Sequence, residues 1–244
     1  MFTDSPANAE IVARSGLDWM LIDLEHGNAT ESVLASMILA TRGTAITPLV
    51  RVESGQRIRV GRALDLGGQG VMVPQVQSAD DARAVTRWMR TQPAGERGIA
   101  LFTRGMAYGA GGHGAVATRH LDLLCIVQIE SLGALEDVEQ IAAVDGVDVL
   151  FVGPTDLTHA MGIPGQIDAP AYETAIARVA RAARSAGKAA GVLLWKPQDV
   201  GRYAALGYTF FGLSSEAMTL DSAVRAALES ARDGLRASID PEVG

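Results

Sequence analysis

Seven short, near-continuously apolar runs recur along this chain, each followed by a stretch with helical spacing. They are Asp18–Asp23, Ile46–Val52, Gly70–Val76, Leu124–Glu130, Val147–Gly153, Ala189–Trp195 and Thr209–Ser214. A strand with one wet face alternates apolar and polar residues, so a strand apolar throughout is one buried on both faces. Strands of that kind alternating with helices specify a parallel sheet covered by helices. The order is one opening helix, then seven strand–helix units. With a short or truncated strand ahead of that helix, the set predicts a (β/α)8 TIM barrel, and 244 residues is close to its usual length of about 250. A doubly wound open sheet is the alternative. Its first strand normally runs into a glycine-rich phosphate turn, whereas this chain reads Leu24-Glu25-His26-Gly27. No linker, low-complexity tract or block of like charge divides the sequence, so residues 1–244 are expected to form one barrel domain.

The intervening segments carry helix signals. Pro6–Ser15 has Ser5 as a cap and proline in its first turn. Ser78–Arg90 opens on a serine and two aspartates. Leu132–Val144, Ala171–Ala186 and Asp221–Arg232 are amphipathic, and Gly16, Gly43, Gly67, Gly187 and Gly207 stand where left-handed caps would close helices. Composition works by exclusion. A net charge of -7 argues against general affinity for nucleic acid or anionic membrane. A single cysteine rules out a disulfide framework. No apolar run reaches the roughly 18–20 residues of a membrane-spanning helix. Met1–Glu10 is polar and acidic, unlike a signal peptide, so a soluble cytoplasmic protein is expected. Of the 21 basic residues only Lys188 and Lys196 are lysines, so Schiff-base chemistry has two candidates.

In a barrel the active site lies at the carboxyl ends of the strands. Polar residues gather there: Asp23-Leu24-Glu25-His26, Arg51, Gln128-Ile129-Glu130, Gly153-Pro154-Thr155-Asp156, Trp195-Lys196 and Ser214-Ser215-Glu216. The opposite ends are mostly caps and turns, and this one-sidedness points to an enzyme. Glu130 and Asp156 are hard oxygen donors on successive strand tops, suited to Mg²⁺ or Mn²⁺. The plainer reading is a helix cap at Asp156 or an ion pair. His26 is a candidate base near neutral pH, with Asp23 or Glu25 to orient it; its plainer reading is a loop histidine. Arg51 inside an apolar strand needs an anionic partner, either a substrate oxyanion or a structural carboxylate. Gly153-Pro154 ahead of a helix start offers backbone N–H groups to an anion, or is simply a turn. Cys125 and Trp19 read as core, Trp195 as a strand-end residue able to wall a pocket, and His113, His120 and His159 as surface residues.

Taken in order, these segments resemble the HpcH/HpaI aldolases, metal-dependent (class II) pyruvate aldolases. The resemblance is carried by Gly16–His26 (GLDWMLIDLEH), Pro48–Arg51 (PLVR), Leu64–Gly67 (LDLG) with Gly70–Pro74 (GVMVP), Arg97-Gly98, Val127–Ser131 (VQIES) and Phe151–Leu157 (FVGPTDL). It implies cleavage or formation of a carbon–carbon bond between pyruvate, or an analogue such as hydroxypyruvate, and an aldehyde. Glu130 and Asp156 match the residues that hold the metal, Mg²⁺ or Mn²⁺ with Co²⁺ as a further option. Arg51 matches the residue that stabilises the enolate, and Asp23 with His26 the acid/base dyad. Gly153, Pro154 and Thr155 match the backbone that cradles the pyruvate carboxylate, and Gln128 a glutamine beside it. Both a dication and a guanidinium would stabilise the enolate more than the ground state. Two features depart from the pattern. Only Met1–Thr3 remains of the family's first strand, and Thr155 stands where a smaller residue is common.

Thr103–Arg119 is glycine-rich without helix or strand periodicity, and is expected to be an irregular loop near the acceptor end of the site, a candidate lid. Relatives act on 4-hydroxy-2-oxo acids, including dicarboxylates and deoxy-sugar acids, and assemble as homo-oligomers, often hexamers. The apolar stripe of Ala223, Val224, Ala227 and Leu228 either packs on a neighbour or closes its own barrel. The competing functions are an acyl-CoA lyase on the same barrel, for which no Lys/Arg cluster suits the nucleotide phosphates, a Schiff-base aldolase using Lys196, and a non-catalytic scaffold.

Overall fold

Each apolar run becomes a strand. A computed structural model describes residues 1–239, so residues 240–244 of the expected domain lie outside the described residues. The strands are β1 (Trp19–Asp23), β2 (Thr47–Arg51), β3 (Gly70–Val73), β4 (Leu124–Ile129), β5 (Val149–Val152), β6 (Ala189–Leu194) and β7 (Phe210–Leu213). They form one sheet in chain order with every pairing parallel. The helices are α1 (Pro6–Ala13), α2 (Glu31–Ala40), α3 (Arg57–Asp65), α4 (Ala79–Met89), α5 (Gly112–Arg119), α6 (Leu132–Glu136), α7 (Val138–Ala142), α8 (Pro154–Ala160), α9 (Pro170–Ser185), α10 (Val200–Leu206) and α11 (Glu216–Ile239). Among the described residues no helix is long and apolar enough to cross a membrane.

The sheet curls far enough for side chains of its two edge strands to touch. The Trp19 ring of β1 stacks on Phe210 of β7 with centroids 4.4 Å apart, and Phe210 meets Phe151 edge-on at 6.2 Å. Inside the curl lies a small core of Leu49, Met72, Ile126, Val149 and Phe151. The alternate strand residues, such as Ile22, Val50, Val71 and Val127, pack outward under the helices. Side chains alternate along a strand, so Asp23 shares the inner face with Leu21, Arg51 with Leu49, and Gln128 with Ile126. Those inner positions at the carboxyl ends are polar. Met1–Thr3 runs beside β1: the Asp23 N–H donates to the Met1 carbonyl (3.2 Å), the Asn28 N–H to the Phe2 carbonyl (2.9 Å), and the Thr3 N–H to Glu216 Oε1 (2.7 Å).

The helix ends follow the cap chemistry of the sequence. Ser5 and Ser78 each accept a backbone N–H in the first turn, and all five helix-following glycines take positive φ. Two segments differ from expectation. Leu132–Val144 is not one helix but α6 and α7, broken at Asp137, whose carboxylate leaves the helix to accept the Ala79 N–H (2.6 Å) and so cap α4. Thr103–Arg119 is not wholly irregular, because its alanine-rich second half forms α5 and Arg104–Gly109 a 3₁₀ turn, with Ala107 and Tyr108 at positive φ.

Candidate active site

Parallel pairing sets Asp23 directly beside Arg51. The guanidinium clasps that carboxylate with two hydrogen bonds, Nε to Oδ1 at 2.8 Å and Nη2 to Oδ2 at 2.5 Å. Its remaining nitrogen, Nη1, lies 3.2 Å from Glu25 Oε2 and 3.5 Å from Gln128 Oε1. Asp23 also accepts the N–H groups of Glu25 and His26, which folds the chain sharply after β1. Burial alone would raise the Asp23 pKa, but the Arg51 hydrogen bonds and charge outweigh it and hold the carboxyl below its usual range. Arg51, itself mostly buried, is held charged by the same carboxylates against its own desolvation.

Glu130 stands one residue past β4, buried, with both oxygens engaged. The Gln75 N–H reaches Oε1 at 2.7 Å and Gln128 Nε2 reaches Oε2 at 2.6 Å. Gly153, the cap of α8, presses against it: a Cβ there would lie 2.9 Å from Glu130 Oε2. Burial first, then the charges of Asp156 and Glu25, push the Glu130 carboxyl upward, against the Gln75 N–H and Arg51. Glu25 is raised for the same first reason, with Asp23 and Asp156 adding to it. Glu25, Glu130 and Asp156 thus repel one another across the mouth of the curl, and the Arg51 charge, already clasped by Asp23, is the cation that offsets them. Among the described residues no group of three or more such side chains is close enough to hold an ion alone, but the hard donors Glu130 and Asp156, in excess of positive charge, suit a divalent cation completed by water and substrate oxygens.

His26 sits at the rim with its side chain 61% exposed, and the carboxylate beside it is Glu25, with Nε2 3.8 Å from Oε2. Of the two carboxylates expected to orient His26, Asp23 or Glu25, Glu25 is the one beside the ring, while Asp23 serves Arg51 and the backbone. The first turn of α8 presents Pro154 buried, with Thr155 and Asp156 exposed. Lys196 is exposed after β6, as is Trp195. Cys125 is buried, its thiol pushed up to about 12 by burial first and then by Asp148. Trp19 is half-buried in the inner core, Arg97 is buried against Asp65 at 2.8 Å, and His113 and His159 are exposed; the His120 side chain lies outside the described residues. Gln75, inside the apolar run Gly70–Val76, lies beyond the strand and carries no side-chain signal of its role. Pro74 marks the true end of β3, and Gln75 turns at φ +55°. A cleft of about 300 Å³ opens beside this turn, lined by Glu53, Ser54, Gln77 and Trp88 among others. It contains none of the carboxylates around Arg51, so charge and hydrogen bonding, rather than cavity size, locate the site.

A guanidinium and a set of carboxylates at the carboxyl ends of a curled parallel sheet define an α/β enzyme that handles a small, oxygen-rich substrate. The comparisons with known proteins agree. Residues 1–223 match the HpcH/HpaI aldolase/citrate lyase family. The chain is 38% identical over 225 residues to a hydroxypyruvate/pyruvate aldolase of Delftia acidovorans, covering 92% of this chain and 83% of that one. It is 33% identical over 222 residues to a 5-keto-4-deoxy-D-glucarate aldolase of Klebsiella pneumoniae, covering 91% and 86%. A solved HpcH/HpaI aldolase/citrate lyase family protein from Burkholderia cenocepacia superposes with a TM-score of 0.89 at 36% identity, covering 94% and 91%. The chain belongs to the HpcH/HpaI aldolase/citrate lyase family, and it is a carbon–carbon lyase of the class II aldolase type.

Proposed function

We propose that this enzyme cleaves, and in reverse forms, the C3–C4 bond of a 4-hydroxy-2-oxo acid, giving pyruvate or hydroxypyruvate and an aldehyde. The observation that carries this reading is the Glu25 and Glu130 carboxylates beside Arg51, with Asp156 close enough to raise both of them. Glu130 and Asp156 would hold the divalent cation, Mg²⁺ or Mn²⁺, with Co²⁺ an acceptable substitute. When bound, the cation supplies Lewis-acid stabilisation to a 2-oxo acid. Arg51 offers N–H donors to the oxygen on which enolate charge develops, and Asp23 fixes the guanidinium so that no reorganisation is needed. His26, at the open rim with Glu25 beside it, takes the proton of the 4-hydroxyl as the C3–C4 bond breaks. The hydroxyl carbon leaves as the aldehyde, the bonding pair remains on C3 as the enolate, and a proton returned to C3 completes the pyruvate methyl. The N–H groups of Gly153 and Thr155, on either side of Pro154, which has none to donate, cradle the carboxylate, and Gln128 borders it.

Supporting the family's (β/α)8 plan, Met1–Thr3 lies where an eighth strand would flank β1, and Trp19 touches Phe210 across the closure. The enzyme is further proposed to be cytoplasmic and to assemble as a homo-oligomer, a hexamer being one such form, with α11, which exposes Leu220, Val224 and Leu228 along one stripe, as the contact face. Light scattering tests the assembly. The function is tested by assaying pyruvate release from 4-hydroxy-2-oxo acids before and after exhaustive chelation. Activity is expected to vanish with EDTA and return with Mn²⁺ or Mg²⁺. Trapping of a pyruvate adduct by borohydride, with activity surviving chelation, would instead make Lys196 the catalytic group.

A further inference from the structure

The turn between β3 and α4 does more than connect them. Its first residue, Gln75, adopts φ +55°, a conformation that side chains other than glycine rarely take. That conformation aims the Gln75 N–H at Glu130 Oε1, 2.7 Å away. Two residues on, the Gln77 side chain returns to the same segment of chain: its Oε1 accepts the Ser131 hydroxyl at 2.8 Å, and its Nε2 donates to the Gln75 carbonyl at 3.4 Å. Ser131 in turn caps the helix after Glu130 by accepting the Ala134 N–H at 3.1 Å. The Gln77 N–H is anchored to Asp81 in the first turn of α4, and the Ala79 N–H to Asp137 beyond α6. A Cβ on Gly133 would meet Gln77 Oε1 at 3.0 Å, so the packing against Gln77 is close. The turn therefore grips the chain on both sides of the residue it touches, at Glu130 and at Ser131.

We infer that Gln75 and Gln77 are positioning residues. Together they hold the left-handed turn whose main-chain N–H orients the Glu130 carboxylate for the divalent cation. Neither touches substrate; Gln77 acts through Ser131 and the Gln75 carbonyl, and Gln75 through its own N–H. The geometry leaves Glu130 one rotamer. Oε1 accepts from the turn, Oε2 accepts from Gln128, and Gly153 packs beside Oε2, while each oxygen keeps a further lone pair for a cation. A ligand carboxylate fixed in this way loses little freedom when the cation arrives.

This inference rests on the reading of Glu130 as a metal ligand, and the experiment separates the two. Mn²⁺ affinity is measured by electron paramagnetic resonance on wild type, Glu130→Ala, Gln77→Met, Gln77→Glu and Gln75→Val, with a thermal melt of each. Gln77→Met keeps the side-chain length but cannot accept from Ser131, and is expected to weaken Mn²⁺ binding by about tenfold, the low end for groups that orient a ligand. Gln77→Glu retains the acceptor and is expected to restore affinity to within about threefold of wild type, since exposed charges interact weakly. Gln75→Val, whose branched side chain disfavours positive φ, should weaken binding at least as much as Gln77→Met. The Gln77 residue is exposed, so its variants should melt close to wild type. Wild-type affinity in both Gln77→Met and Gln75→Val, with Glu130→Ala binding no metal, overturns the positioning role alone. Unchanged affinity in Glu130→Ala overturns the ligand assignment beneath it.

Discussion

At the amino ends of the strands, charges meet one to one: Arg90 with Asp145 at 2.8 Å, the aspartate almost wholly in water, Arg87 with Glu96 at 3.2 Å, and, buried, Arg97 with Asp65 at 2.8 Å. At the carboxyl ends, one mostly buried guanidinium faces the carboxylates of Asp23 and Glu25 directly and lies within the field of Glu130, which Asp156 in turn repels. The same residue types do different physical work at the two ends. A solvated pair gains little and costs little. A buried group that lacks balance destabilises the fold unless a partner arrives, and stored imbalance of that kind marks sites that bind one. The amino ends are built to turn the chain, with glycines such as Gly207 at φ +101° returning helices to strands. The carboxyl ends are built to hold charge for chemistry.

If this contrast is right, the largest effects come from Arg51. Arg51→Ala is expected to lower kcat/KM by about 10²–10³, the range for loss of an oxyanion donor. It should also cost roughly 3 kcal/mol of stability, because Asp23 is left buried and unpaired. The pH dependence has a definite sign. Asp23 has a folded pKa below its unfolded value of about 3.9. The pair's contribution is therefore complete above about pH 4 and is lost as pH falls through the folded pKa. Urea denaturation of wild type and Arg51→Ala should differ most near neutral pH and converge in acid. A gap that stays constant across that range would mean that Asp23 is not charged in the fold.

Glu130 sharpens the contrast in the other direction. Its charged form is disfavoured by burial and by its acidic neighbours. Glu130→Gln in metal-free protein removes that electrostatic cost but gives up one of the two accepted hydrogen bonds, so its stability is expected to stay within about 1 kcal/mol of wild type while turnover is lost. Differential scanning calorimetry with a parallel pyruvate-release assay reads both. A destabilised Glu130→Gln would show the carboxylate to be structural.

The difference between the two ends was partly visible in the sequence. Continuous apolarity located every strand to within a few residues, and alternation carried Asp23, Arg51, Gln128 and Glu130 to one face and one end. What the sequence hid was partnership. Arg51 lies 28 residues from Asp23 and 77 from Gln128, and only the curl of the sheet decides which acceptor a long guanidinium reaches. Asp23 and Glu25 therefore read as equal candidates to partner His26, although the Asp23 carboxylate is engaged by Arg51 and Glu25 is the one beside the ring. Gln75 was lost for a related reason. Its contribution is a main-chain N–H aimed by a positive φ, and no side-chain pattern records that. Asp137 resembled an interior helix position because the N–H it caps, on Ala79, is 58 residues distant.

The smallest expected effect tests the amino ends directly. Arg90 reaches across from the end of α4 to Asp145, and a Cβ on the neighbouring Gly146 would collide with its guanidinium, so the contact is well packed despite its exposure. Solvent screening still governs the charge term, because the Asp145 side chain is 90% exposed. Arg90→Ala is accordingly expected to cost less than about 1 kcal/mol. Its kcat/KM should stay within about twofold of wild type, since surface changes remote from a site leave transition-state contacts intact. A loss of activity approaching that of Arg51→Ala would abolish the distinction between the two ends, because a solvated pair far from the carboxylates would then be feeding the chemistry through the sheet.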